Sequence, residues 1–289
     1  MKIGRTEFLI GADPEVFIRS KTTGLFVSAH GMLPGTKENP HVVKYGAVQV
    51  DGMAAEFNID PCKTEDEFVR NVTTVMAQLK ALLPDDDEYE LVAVPTCHFG
   101  KEMIDAQPDV AKELGCDPDF NAWTGEQNPV PNVDMPFRTG AGHIHIGWGK
   151  DIDVGSPDHK EVCEYLIRNL DYATRPSMLY DKDTERRKLY GDIGAYRPKS
   201  YGCEYRTPSN DWVGSEKKMR AMYRFIECGL HIASEGRERN GSHWSPIKGK
   251  GSEFLAGLKR VYGQNPTEND TKSMRVDYSD YTGESYEGL

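Results

Sequence analysis

Alternation of polar and apolar side chains is clearest in R-T-G-A-G-H-I-H-I-G-W, residues 138–148. A period of two places His143 and His145 on one face of a strand, and Ile144 and Ile146 on the other. In a helix, residues two apart would not converge. We therefore predict a strand whose two imidazoles suit a metal or phosphate site. The alternative is a pair of polar residues on the solvated side of an edge strand.

Two segments nearer the N-terminus repeat this pattern with acids on the polar face. In residues 7–18, Asp13 and Glu15 share a face, and the proline between them predicts an edge strand or a bulge. Farther on, Asp51 followed by glycine is a tight-turn signal, which predicts a hairpin whose second strand carries Glu56. Both strands thus expose carboxylates on one face and bury large residues on the other.

A third polar strand follows a basic stretch of the chain. C-E-Y-R-T-P, residues 203–208, places Glu204 and Arg206 on one face, for which a structural salt bridge is the alternative. Upstream, Arg197 and Lys199 are flanked by tyrosines and glycines, which favours a role as anion ligands. For residues 186–188, R-R-K, a solvated surface run explains the pattern as well as function does.

Helical spacing of apolar residues predicts three long helices, at residues 64–83, about 156–180 and 215 to about 235. Thr64 and Glu67 form a capping box at the start of the first, and Pro176 is expected to kink or end the second. Between them, residues 115–132 are rich in turn formers. We interpret this segment as a substrate loop beside the histidine strand, with aromatic anchoring to the core as the alternative.

Composition narrows the class of protein. A formal net charge of -11 over 289 residues argues against affinity based on nucleic-acid phosphates. No apolar run approaches the roughly 18 residues of a membrane span, and the N-terminus lacks the apolar core of a signal peptide. The six cysteines contain no C-x-x-C pair, so neither a zinc knuckle nor a disulfide framework is indicated. These features predict a soluble, cytoplasmic protein.

The polar strand faces together predict a metal–nucleotide site. If they belong to one antiparallel sheet, their carboxylates crowd together and raise one another's pKa values. Divalent Mg²⁺ or Mn²⁺ removes that repulsion, since oxygen ligands with an occasional imidazole suit these ions. A polyphosphate would then satisfy both the metals and the nearby cations. No Walker A loop or kinase-type glycine loop is present in the sequence.

The ordered motifs D-P-E, A-A-E-F-N, G-H-I-H-I-G and C-E-Y-R-T-P resemble those of the glutamine synthetase and glutamate–cysteine ligase superfamily. More closely, they resemble the phage-encoded carboxylate–amine (COOH–NH2) ligase family, over about residues 8–215. The resemblance implies an α+β fold like the glutamine synthetase catalytic domain, a curved antiparallel sheet with helices on its outer face. It also implies ATP- and Mg²⁺-dependent amide formation, in which an amine attacks an acyl phosphate on a glutamate-like carboxylate. Mn²⁺ is an acceptable substitute.

The resemblance also assigns roles to residues. His145, Arg197 and Arg206 would act in catalysis, and these three with Lys199 would contact the nucleotide phosphates. The expected metal ligands are Glu15, Glu56, His143 and Glu204, with Asp13 and Asp51 as weaker candidates. The expected substrate contacts are Asn121, Trp123, Glu126 and Arg138, the last as a bidentate partner of a carboxylate.

Two other functions remain open at this point. One is a metal-dependent hydrolase using the H-x-H pair with the acids, and the other is a catalytically silent nucleotide-binding phage protein. We expect a single catalytic domain over residues 1–289 with a C-terminal arm from about 263. The expected partners are a small-molecule or peptide carboxylate and an amine, with room for a homo-oligomer but with neither nucleic acid nor membrane.

Overall fold

The structure is a computed structural model that describes residues 2–3, 6–85, 87–112, 119–129, 137–148, 154–180, 185–234, 237–240 and 243–246. The arm expected from residue 263 lies outside these residues. In chain order the strands are β1 (Lys2–Ile3), β2 (Thr6–Ala12), β3 (Glu15–Ser20), β4 (Phe26–Val27), β5 (His41–Val43), β6 (Gly46–Asp51), β7 (Ala54–Ile59), β8 (Tyr89–Val92), β9 (Thr96–His98), β10 (Phe120–Asn121), β11 (Phe137–Thr139), β12 (Ile144–Trp148), β13 (Ala195–Lys199), β14 (Gly202–Tyr205), β15 (Arg237–Asn240) and β16 (His243–Pro246). The α-helices are α1 (Glu65–Ala81), α2 (Lys101–Asp105), α3 (Asp109–Lys112), α4 (His159–Tyr180) and α5 (Glu216–Ser234).

Two six-stranded sheets carry the fold, and the strand pairs within them are antiparallel. The first has the order β1-β2-β12-β14-β13-β10, and the second the order β4-β3-β7-β6-β5 with β8 paired to β3. One of the sheets is strongly curled into a half-barrel. The expected α+β architecture with antiparallel sheets is therefore confirmed.

The two sheets meet where β2 ends and β3 begins. Proline cannot donate a ladder hydrogen bond, and the strand is interrupted at Asp13 and Pro14. The backbone N–H groups on either side of the break still donate to the chain before β12, from Asp13 to His143 O and from Glu15 to Ala141 O. Of the two alternatives given for the proline, the edge strand is wrong, because β2 and β3 both lie inside their sheets.

Three long helices form where the spacing predicted them. Thr64 caps α1, and its side chain accepts the N–H of Glu67 at 3.2 Å, whereas the Glu67 carboxylate returns to the N–H of Lys63. Helix α4 continues through Pro176 to Tyr180, so the proline does not end the helix there. In the described part of the chain, no helix is long and apolar enough to cross a membrane.

The apolar sides of the strands face the helices and fix the register of the site. Ile144 and Ile146 are fully buried, in one core with side chains of α1, α4 and α5. Burying each isoleucine contributes roughly 1.5–3 kcal/mol, and a slip of one residue would exchange them with the histidines. The imidazoles are thereby held on the opposite face. Gly142 lets this segment approach closely, since a Cβ there would lie 2.1 Å from Ser209 O.

Candidate active site

The polar face of the first sheet is a row of side chains set by strand register. His145 on β12 is paired with Glu204 on β14, which is paired in turn with Arg197 on β13. On its other side His145 faces Gly11, which leaves space beside the imidazole. The predicted convergence of acid, imidazole and guanidinium on one face is therefore present in the structure.

Asp13, His143 and Glu204 form a first group of ligand atoms, which we call triad one. One oxygen or nitrogen from each lies within 4.8 Å of the others. The Nδ1 atom of His143 is 3.5 Å from Asp13 Oδ1 and 3.4 Å from Glu204 Oε1. Asp13 comes from the break between the two sheets, so the interruption at Pro14 is what turns this carboxylate toward the histidines.

Glu15, Asp51 and Glu56 form a second group, triad two, whose oxygens also lie within 4.8 Å of one another. Glu15 and Glu56 are direct partners across β3 and β7, and Asp51 closes the group from the end of β6. The N–H of Ala141 donates to Glu15 Oε2 at 2.8 Å. The six predicted metal residues are thus divided between two triads, three in each.

Triad two is a crowded group of acids. Burial, followed by the charge of Asp51, raises the pKa of Glu15 to about 7. Burial, followed by the charges of Asp13, Asp51 and Glu15, raises the pKa of Glu56 well above its usual value. Such repulsion is relieved by protonation or by a bound cation. The repulsion among these acids destabilises the protein without a bound cation, and it would favour the binding of a divalent ion.

The donor sets fit a hard divalent cation. Octahedral Mg²⁺ at about 2.1 Å from its ligands places adjacent ligands about 3 Å apart and opposite ligands about 4.2 Å apart. Ligand atoms within 4.8 Å of one another reach these separations by small side-chain adjustments. Triad two offers oxygen only, whereas triad one adds an imidazole, the nitrogen ligand that Mn²⁺ and Mg²⁺ sites admit occasionally.

The imidazole in triad one is held neutral. Burial, followed by the charge of Arg206, lowers the pKa of His143 to about 3. Its Nε2 lies 2.9 Å from the hydroxyl of Tyr190. A neutral ring presents a lone pair, as a metal ligand must. His143 therefore has the charge state that its predicted role requires.

His145 has the opposite electrostatic character. Burial alone would lower its pKa, but the Asp13 carboxylate, 3.0 Å from Nε2, holds that pKa above the usual value. The same histidines hold the pKa of Asp13 far below its usual value, although burial opposes them. The hydroxyl of Tyr201 contacts Nδ1 of His145. A ring that tends to carry positive charge suits contact with an anion better than metal ligation.

Three cations surround the carboxylate of Glu204, which is 1% exposed. The Lys199 Nζ lies 2.7 Å from Oε2, and an Arg197 guanidinium nitrogen lies 3.5 Å from it. Arg206 donates to Oε1 and to the hydroxyl of Tyr190. Burial and the charge of Asp13 nevertheless raise the pKa of Glu204, against the pull of His145, Arg197 and Lys199. The predicted phosphate cations are thus gathered beside triad one.

The loop from residue 119 to 129 reaches the site through Asp119. Its Oδ2 accepts the Nε–H of Arg206 at 3.1 Å, and β10 in the same loop pairs with β13. The remaining ends of the predicted loop, 115–118 and 130–132, lie outside the described residues. The aromatic-anchor alternative also finds support, since the Trp123 indole N–H donates to Asp171 on α4 at 2.7 Å.

The four predicted substrate contacts have structural partners. The Asn121 side chain closes its own turn by accepting the N–H of Trp123 at 2.8 Å, and the backbone of Glu126 accepts the N–H of Asn121. Arg138 is 5% exposed and donates to the carbonyl oxygens of Phe137 and Lys112. The guanidinium is thus held by backbone carbonyls in this structure.

Sequence reasoning missed or misjudged several residues around the site. Arg186 is fully buried and donates to the carbonyls of Thr207 and Pro208, so the solvated-run reading is wrong for it. Tyr190 contacts His143 and Tyr201 contacts His145. Their position beside the basic stretch was the sequence signal that could have identified them. Lys37 contacts triad two from a loop whose sequence carries no such signal.

Two groups of potential metal ligands, with a cluster of cations beside one of them and helices behind the antiparallel sheets, are typical of proteins that bind divalent cations next to an anionic group. The family comparison is more specific. Residues 129–239 match the model of the phage phiEco32-like COOH.NH2 ligase-type 2 family, which confirms the expected resemblance over that segment. That family is described as one of COOH.NH2 ligases. No curated protein matches the chain.

Proposed function

We propose that the protein is an ATP- and Mg²⁺-dependent ligase that joins a carboxylate to an amine through an acyl phosphate. The observation that carries this proposal is that the two triads lie close together where the two sheets meet, so that the charge of Asp13 in triad one acts on Glu56 in triad two. Arg197, Lys199 and Arg206 lie beside triad one. The family match at residues 129–239 supports the reaction class. A glutamine synthetase-like catalytic domain is the fold that we infer from the same motifs.

The triads would hold the metal. Asp13, His143 and Glu204 would bind one ion, and Glu15, Asp51 and Glu56 another. Bound Mg²⁺ would neutralise the acid clusters and attract the polyphosphate of ATP. Mn²⁺ suits the same donor atoms.

The cations supply the electrostatic part of the reaction. Phosphoryl transfer to the substrate carboxylate spreads negative charge over the transferred group, and preformed guanidinium and ammonium groups stabilise that charge. Arg206 is 4% exposed and fixed by Asp119 and Tyr190, so it would need little reorganisation. His145, whose charge is favoured by Asp13, would contact the same phosphate. Arg197 and Lys199 would turn from Glu204 to the nucleotide.

Exclusion of water is the remaining requirement, because an acyl phosphate hydrolyses. The loop containing Asp119 lies against Arg206 and is fastened to α4 by Trp123. We infer that it covers the reacting groups. Its hydrogen bonds to Arg206 and Asp171 support an ordered loop over the site. The substrate roles of Asn121, Trp123, Glu126 and Arg138 stay hypotheses.

The alternatives differ in measurable ways. A metal-dependent hydrolase would need a water-activating site without phosphate cations, and the three cations around Glu204 speak against it. A catalytically silent nucleotide-binding protein would be stabilised by ATP but would release no ADP with any substrate. Both expected substrates, a carboxylate and an amine, follow from the ligase class, whereas a cytoplasmic location and a homo-oligomer are further expectations.

The test is ADP release with Mg²⁺ across a matrix of carboxylates and amines, followed by mass spectrometry of any adduct. The proposal expects sustained ADP release only when both substrates are present, with an adduct whose mass equals their sum minus one water. Glu204→Gln should form no ADP, whereas Lys101→Met, on the surface of α2, should be unaffected. Full activity in Glu204→Gln, or ADP formation over many turnovers that needs neither carboxylate nor amine, contradicts the proposal.

A further inference from the structure

Lys37 forms an ion pair with triad two. Its Nζ lies 2.8 Å from Asp51 Oδ2. Its charge also acts on Glu56 and Glu15, so the ammonium partly neutralises all three acids.

The backbone that carries Lys37 is fixed, whereas its side chain is not. Gly35 has a φ of 89°, and a Cβ there would lie 2.4 Å from Val48 O, so the loop is pressed against β6. Its carbonyl accepts the N–H of Val50, and Thr36 and Asn39 exchange backbone hydrogen bonds. The Lys37 side chain is 43% exposed. Its four methylenes can thus move the ammonium without moving the loop.

An ammonium and a divalent ion compete for the same carboxylate oxygens. Asp51 Oδ2 cannot keep Lys37 at 2.8 Å and also bind a cation at about 2.1 Å without bringing two positive charges together. A metal that binds at this oxygen would therefore displace the ammonium. The displaced group would need another anion, and a nucleotide phosphate held beside the metal would be one within reach of the side chain.

We propose that Lys37 is an intramolecular competitor of the metal at triad two, and that it couples metal loading to nucleotide binding. Without nucleotide, Lys37 neutralises the triad and weakens its affinity for the metal. With nucleotide, the ammonium has a phosphate partner and leaves the carboxylates to the ion. Lys37 is a positioning residue in this role, and the proposal rests on the function proposed above.

The role predicts effects of opposite sign in one variant. Lys37→Met keeps the length of the side chain but removes the charge. Without nucleotide it should bind Mn²⁺ up to about fivefold more tightly than the wild type, because an ion pair at a partly exposed site is worth at most about 1 kcal/mol. Its affinity for a non-hydrolysable ATP analogue should fall in the presence of Mn²⁺. If Lys37 had only a structural role, Lys37→Met would weaken the binding of both Mn²⁺ and the ATP analogue.

The coupling between the two ligands can be measured directly. Mn²⁺ titrations by calorimetry, with and without the analogue, give the factor by which each ligand tightens the other. That factor should be lower in Lys37→Met than in the wild type, and retained in Lys37→Arg. Lys101→Met, which removes an exposed ion pair on α2, is the matched control and should match the wild type.

A Glu56→Gln variant separates failure of this inference from failure of the proposed function. If Glu56→Gln binds fewer Mn²⁺ ions than the wild type, triad two is a metal site. Wild-type affinity and coupling in Lys37→Met then overturn the role of Lys37 alone. If the wild type and Glu56→Gln bind Mn²⁺ equally, triad two holds no metal, which overturns both the inference and the proposed second metal site.

Discussion

Replacing Glu15 by glutamine should stabilise the metal-free protein while weakening its binding of divalent cations. The substitution keeps the size of the side chain, and its amide oxygen can still accept the N–H of Ala141. It removes one of the three charges of triad two. Stability and function therefore change in opposite directions in the same variant, as expected where a binding site retains unfavourable charge.

The magnitude follows from the pKa of the carboxyl. The pKa of Glu15 is raised from 4.5 to about 7 in the folded protein, and one pKa unit corresponds to about 1.4 kcal/mol. The ionised group therefore costs at most about 3.5 kcal/mol, and about 1–3 kcal/mol after allowance for its partial exposure. Because the folded pKa is raised, this cost is absent below pH 4.5 and is complete above pH 7. The gain from Glu15→Gln should thus appear at pH 8 and vanish near pH 4.

Denaturant unfolding in the presence of a chelator measures the gain, and thermal unfolding with added Mn²⁺ measures the loss of metal binding. Glu102→Gln, an exposed glutamate on α2, controls for removal of one negative charge. The reasoning is refuted if Glu15→Gln destabilises the chelated protein at pH 8. It is equally refuted if Mn²⁺ raises the melting temperature of the variant as much as that of the wild type.

Three other substitutions test the remaining parts of the account. Arg206→Lys loses the guanidinium donors to Glu204, Asp119 and Tyr190, so the rate of ADP formation should fall about 10²–10³-fold. Mn²⁺ binding, measured by calorimetry, should persist. An unchanged rate contradicts the role of Arg206. Trp123→Phe leaves Asp171 without its indole donor and should lower the free energy of unfolding in urea by about 1–3 kcal/mol. A changed KM with unchanged stability would instead indicate that Trp123 contacts the substrate. Asp171 has its pKa raised to about 6 by burial, so its contribution to stability falls by roughly 3 kcal/mol as the pH rises from 4 to 6. Asp171→Asn should remove that part of the pH profile, and a profile parallel to the wild type contradicts the assignment.

Local patterns were enough to predict the polar face of the site. The alternation around His143 and His145 fixes which side chains share a face, because burial of Ile144 and Ile146 determines the register. Helix α1 was equally accessible, since both its cap and its apolar spacing lie within a few residues of each other. Interactions between near neighbours in sequence are readable without the fold.

The division into two triads depends on geometry that the sequence does not express. Pro14 interrupts the strand, so Asp13 joins the histidines while Glu15 faces Glu56. Nothing in the residues themselves distinguishes this outcome from a single shared site. Lys37 and Asp119 come from loops outside the strands that carry the site, and only the packing of those loops brings Lys37 to Asp51 and Asp119 to Arg206.

The most direct test of the central claim is the transfer of oxygen from the substrate carboxylate to phosphate. A carboxylate substrate identified by ADP release is labelled with ¹⁸O in both oxygens and incubated with the enzyme, Mg²⁺, ATP and the amine. An acyl phosphate requires the carboxylate to give one oxygen to the phosphoryl group, so the released phosphate should carry one ¹⁸O atom and the amide product should keep the other. Unlabelled phosphate would contradict activation of the carboxylate by phosphorylation at this site.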